Sequence, residues 1–141
     1  MKKAIVVCLT LLLALVANAQ DQKKFSPEKF EAEMEGYIIK EANLSQQEAA
    51  RLLPILKEMH ARQRTVYKKI RQQSKVKPVD EAACAEVIKQ CDKMNIELKQ
   101  IESCYHKKMM QEVSASKAYD VIKAESSFHR KMMTGWQKGN K

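Results

Sequence analysis

The chain has 141 residues, of which 45% are apolar and 30% charged, and it carries a formal net charge of +9. That length fits one domain with a modest core of its own. Three glycines and three prolines in the whole chain leave little material for tight turns, which points away from a turn-rich fold and toward long helices with few connections.

Lys2 and Lys3 precede an apolar stretch from Ala4 to Ala17, and the small-x-small sequence Ala17-Asn18-Ala19 follows it just before Gln20 and Asp21. This charged, apolar, small-residue order predicts a cleavable secretory signal peptide over residues 1–19. An apolar run of about fourteen residues is too short for a hydrocarbon core that needs about twenty. Cys8 lies inside the run, behind Ile5-Val6-Val7 and without a lipobox, so lipidation is not expected. The predicted location is the periplasm, where a basic protein meets no genomic DNA. Its charge there suits acidic polypeptide segments, anionic headgroups or a charged partner domain, although solubility alone would also account for it.

Residues 20–25 form a polar lead-in, and a four-helix domain is expected over 26–134, followed by a polar tail at 135–141. Ser26, Pro27 and Glu28 supply an N-cap, an N1 proline and a first-turn acid. Phe30, Met34, Tyr37 and Ile38 then give the first helix one apolar face, with Gly36 a weak point in its middle. Leu44-Ser45-Gln46-Gln47-Glu48 opens a second helix with a capping box between Ser45 and Glu48. Leu52, Leu56, Met59, Gln63, Val66 and Ile70 continue it in steps of fours and threes, the pattern of a helix packed along a partner. Pro54 is expected to bend this helix without breaking it. The stretch 74–79 contains Pro78 and ends it.

Asp80 and Glu81 start a third helix whose seam is the cleanest in the chain: Cys84, Val87, Cys91, Met94, Leu98, Ile101 and Tyr105. The stretch 113–117 interrupts, and Ser114 is the expected cap of a fourth helix. Ala118, Val121, Ile122, Phe128 and Met132 form its apolar face, and Gly135 is expected to close it. No segment alternates with period two over a strand's length. The predicted fold is therefore all-α: a long antiparallel hairpin of the second and third helices, with shorter first and fourth helices packed on it.

The openings of the second and fourth helices echo one another. Leu44-Ser45-Gln46-Gln47-Glu48-Ala49 and Val113-Ser114-Ala115-Ser116-Lys117-Ala118 both place an aliphatic residue before a serine cap, and Leu52-Leu53 and Val121-Ile122 follow at the same offset. With the export signal and the basic surface, these L-T/S-x-x-Q-like openings make residues 26–134 resemble the Spy/CpxP, or LTxxQ-motif, family of periplasmic stress proteins. The chain departs from the motif with Ser45 for Thr, Glu48 for Gln, and Val113 and Lys117 in the second copy. The resemblance implies an ATP-independent holding chaperone, a cradle-like antiparallel homodimer that binds unfolded clients through mixed basic and apolar contacts. Ser45, Glu48 and Ser114 carry over as structural helix caps, not as client contacts.

Three groups of residues are candidates for function. No acid occurs between Glu58 and Asp80, and in that interval Arg64, Lys68, Arg71 and Lys75 share one helix face away from the apolar seam. This stripe is either a solvated face or a surface that draws in unfolded chains. The cysteines left after signal removal are Cys84, Cys91 and Cys104. Cys84 and Cys91 lie two turns apart, about 10 Å along one helix, and a disulfide needs Cα atoms within about 7 Å. They read as small seam hydrophobes or as partners in a bridge between two copies, and Cys104 flanks the seam as the most exposed of the three. The third group is a pair of His-x-x-Met-Met sequences, His106 with Met109 and Met110, and His129 with Met132 and Met133. Their helical spacing is compatible with soft-metal ligation, while His beside Lys and Arg is ordinarily a surface residue.

Neither a phosphate-binding glycine loop nor a His-Glu-x-x-His sequence occurs, and no nucleophile has an evident base, so no enzyme activity and no cofactor are expected. The reading from sequence is a periplasmic chaperone-like protein holding unfolded or partly folded exported proteins. Its alternative is a stress or metal sensor that docks on a membrane-bound signalling or anti-sigma protein.

Overall fold

The computed structural model describes residues 26–139, with side chains to residue 135. The predicted signal peptide, the lead-in and the last two residues lie outside it. Four helices make up the described chain: α1 (Pro27–Glu41), α2 (Gln46–Gln73), α3 (Glu81–Glu112) and α4 (Ala115–Gly139). There is no strand among the described residues. The chain divides between Ala32 and Glu33 into two units.

In the first unit, Ser26 begins α1 as its sequence position requires. Its Oγ accepts from the Lys29 amide at 3.3 Å and its carbonyl from the Phe30 amide at 3.0 Å. Proline at the next position loses nothing, because the first amides of a helix have no internal partner.

In the second unit, α2 and α3 pack together most extensively, as a hairpin. The cross-helix pairs show the direction: Glu58 lies near Lys108 at 3.7 Å and Gln63 near Glu102 at 3.4 Å, so numbering rises along one helix as it falls along the other. Pro54 sits inside α2, which remains a single helix of 28 residues. The loss of one backbone hydrogen bond is tolerated on that exposed face.

The buried core collects Met34, Ile38, Leu52, Leu56, Met59, Val66, Leu98, Tyr105, Met109, Val121 and Phe128. All four helices contribute to it. Tyr37 of α1 meets Phe128 of α4 with ring centroids 5.6 Å apart, and Glu35 pairs with Lys57 of α2 at 3.0 Å.

Helix α1 ends in a Schellman turn. Asn43 adopts a left-handed φ of 47°, its amide reaches the Lys40 carbonyl at 3.2 Å, and the Leu44 amide reaches that of Ile39 at 3.0 Å. Asparagine is the non-glycine residue best suited to that conformation. At the other end of the chain the expected closure at Gly135 does not occur, and α4 runs through it to Gly139. Gly135 has no positive φ, and the Thr134 hydroxyl bonds back to the Arg130 and Lys131 carbonyls at 3.1 and 3.0 Å. A glycine closes a helix only where the chain turns left-handed; otherwise it costs some stability and leaves the helix intact.

Candidate functional site

The expected caps form as the residues dictate. Ser45 Oγ accepts from the Glu48 amide at 3.2 Å and the Glu48 carboxylate accepts from the Ser45 amide at 2.8 Å, a complete capping box. Ser114 Oγ accepts from the Lys117 amide at 3.2 Å. Lysine at that third helical position cannot return the bond, since an ammonium only donates. Its Nζ instead donates to the Ala42 and Asn43 carbonyls at 3.1 and 3.2 Å, at the C-terminal end of α1. The two echoing helix openings are thereby brought together. The Ser45 amide holds the Glu48 carboxyl below the usual carboxylate range, and the nearby Lys117 charge adds to the effect.

Beyond this region the hairpin changes character. From Tyr67 to Glu97 no described residue is buried, although the α3 seam is unbroken in sequence. Ile70, Cys84, Val87, Cys91 and Met94 are only half-buried there, whereas Leu98, Tyr105 and Met109 further along α3 are fully covered. Tyr67, Ile88 and Ile96 are about half or more exposed, at 48%, 62% and 59%. Arg64, Lys68 and Arg71 are exposed along α2 beside this seam, whereas Lys75, expected on the same helix face, is exposed in the turn that follows, because α2 ends at Gln73 and Ser74 caps it. Arg64 and Arg71 flank Tyr67 and Ile70 in one shallow depression, so cationic and apolar groups face the same solvent.

The three thiols are unpaired. Cys104 is exposed, as its flanking position predicts, and the Cys84 Sγ lies 3.6 Å from the Pro78 carbonyl. The His-x-x-Met-Met residues are dispersed by environment. Met109 is fully buried in the core, Met110 and Met133 are exposed, and His106 and Met132 are half-buried. His129 lies 3.8 Å from the Glu125 carboxylate. Among the described residues no three His, Cys, Asp or Glu side chains are arranged as metal ligands.

Sequence reasoning missed one polar contact in the core. His60 of α2 is buried, and its Nε2 lies 2.7 Å from Glu125 Oε1 of α4. Burial alone would raise the Glu125 pKa, but hydrogen bonds from His129 and His60 and their charges outweigh it and hold the carboxyl at about 2. The signal was present in the spacing: Ala118, Val121, Phe128 and Met132 leave Glu125 at the missing step of their apolar stripe. No protein-family model, no curated protein and no solved structure matches this chain.

Proposed function

We propose that this protein is an ATP-independent, chaperone-like binding protein of the periplasm, which holds unfolded or partly folded exported proteins on the open part of the α2–α3 hairpin. One observation carries the reading: the seam from Ile70 through Met94 is half-covered and runs beside an uninterrupted row of cations. A solvated helix face needs the cations but not the uncovered apolar row.

Long-range attraction by Arg64, Lys68, Arg71 and Lys75 gathers chains with exposed acidic residues and raises their rate of encounter. Tyr67, Ile70, Ile88 and Met94 then offer adaptable apolar contact, methionine in particular fitting varied shapes. Such contact needs no nucleotide cycle, because capture and release follow from the client's own exposed surface. The Ser45, Glu48 and Ser114 caps and the buried core hold the helices that present this surface. The resemblance to the Spy/CpxP family points the same way, including a homodimer in which two copies line one client-holding face.

The test is suppression of aggregation of a chemically unfolded client at near-stoichiometric ratio. Wild-type protein is expected to suppress it. The combined change Arg64→Glu, Lys68→Glu, Arg71→Glu and Lys75→Glu is expected to slow client capture about tenfold or more at low salt, with helical content unchanged. Undiminished suppression by that variant removes the stripe from the mechanism, and failure of the wild type removes the reading itself.

A further inference from the structure

The turn between α2 and α3 carries two exposed valines that client holding on helix faces does not use. Residues 74–80 read Ser-Lys-Val-Lys-Pro-Val-Asp. Val76 is 75% exposed and Val79 fully exposed, so two aliphatic side chains stand in solvent within four residues. Lys75 precedes Val76 and Lys77 lies between the two valines, both lysines exposed, and Arg71, Lys68 and Arg64 continue the positive charge along α2.

The turn is held at both ends, so the valines are presented by a defined backbone. Ser74 donates its amide and its hydroxyl to the Ile70 carbonyl at 3.0 and 2.8 Å. Asp80 caps α3 by accepting from the Ala83 amide at 2.8 Å. Asp80 is the first acid after Glu58, and its charge is directed into the helix start, where it is stabilised. Pro78 keeps the stretch from continuing as helix.

We propose that this turn docks the protein on the surface of a bilayer containing anionic phospholipid. Val76 and Val79 enter the boundary between headgroups and acyl chains, while Lys75 and Lys77 reach the phosphates with their long stems. Three arguments favour a lipid surface over a protein partner. Two valines supply far less apolar area than a specific protein interface, which buries about 1,200 Å² or more in total. A bilayer needs no shaped complement, and this turn offers none. Small apolar insertion combined with a polybasic patch is the two-part signal by which peripheral proteins bind membranes reversibly. No helix among the described residues is long and apolar enough to cross a membrane. This inference goes beyond client holding and does not depend on it.

The experiment is co-sedimentation of the protein, purified after export by its expression host, with vesicles of phosphatidylcholine alone or mixed with phosphatidylglycerol. Uptake is expected only on the mixed vesicles and is expected to weaken as salt is added. Val76→Ser with Val79→Ser should lower partitioning about tenfold, and Lys75→Gln with Lys77→Gln about twenty-fivefold. The valine variant should hold an unfolded client as well as wild type does, which separates this proposal from the client reading. Val79→Trp should add a blue-shifted emission on mixed vesicles beyond the background of Trp136. Equal uptake on neutral and anionic vesicles overturns the proposal. So does loss with the lysine variant but none with the valine variant, and so does capture of a folded protein by the turn without vesicle uptake.

Discussion

A carboxylate surrounded by apolar side chains is ordinarily driven toward its neutral form, because burial penalises charge. Glu125 feels that push as its largest single influence and still stays ionised to about pH 2, since His129 and His60 both converge on its carboxylate. The consequence for stability follows from linkage. A carboxyl whose folded value lies below its unfolded one stabilises the fold above the unfolded value and loses that contribution as pH falls toward the folded one. For Glu125 the window runs from the ordinary 4.5 down to about 2, and the shift corresponds to a contribution on the order of 3 kcal/mol. Wild-type denaturation midpoints should therefore fall steeply between those two pH values, and Glu125→Gln should flatten that part of the profile. Parallel profiles for the two proteins would show that the His60 and His129 contacts do not hold the charge. Glu125 was readable as an acid at the missing step of an apolar stripe. His60, by contrast, shows nothing in sequence that separates a buried partner from a surface residue, because its partner lies 65 positions away.

Local chemistry carries helix boundaries in the sequence, and the starts of α1, α2, α3 and α4 all follow from Ser26, Ser45, Asp80 and Ser114. Helix ends are less legible, as Gly135 shows: the residue permits a left-handed turn but does not impose one. The C-terminal end of α1 shows why. The carbonyls of Ala42 and Asn43, in the turn just past it, are met by Lys117, a residue of α4, and no local pattern announces a partner some 75 positions distant. The same lysine looks like decay of a repeated motif until its position over α1 is seen. Positive charge at a helix C-terminus also faces the negative end of the helix dipole. Replacing Lys117 by Met keeps the stem and removes both the charge and the two donated bonds. The expected loss is about 1–2 kcal/mol, measured as a lower urea midpoint with an unchanged slope. An unaltered midpoint would mean that water meets the Ala42 and Asn43 carbonyls equally well.

At the scale of the whole molecule, heptad regularity and burial separate. The seam from Cys84 to Tyr105 keeps its spacing throughout, yet only Leu98 and Tyr105 within it are buried. Periodicity reports which face of a helix meets a neighbour, and it is silent on how many neighbours cover that face. Near Leu56 and Met109 the hairpin is joined by α1 and α4, through Glu35–Lys57, Tyr37–Phe128 and His60–Glu125. Between Tyr67 and Glu97 no described residue is buried. Protection against amide exchange depends on the contacts that must be broken to open a segment. Each buried aliphatic side chain contributes about 1.5–3 kcal/mol, so a stretch lacking even one or two of them should exchange about a hundredfold faster. Amides of 67–73 and 84–97 are thus expected to exchange well before those of 52–66 and 98–109 in dilute protein. Raising the concentration supplies the second half of the test. If two copies cover one another's open seam, protection of 67–97 rises with concentration while that of the core stays constant. Uniform protection along both helices even at high dilution would mean that two helices suffice to bury this seam, and an open surface there could not be the place where clients bind.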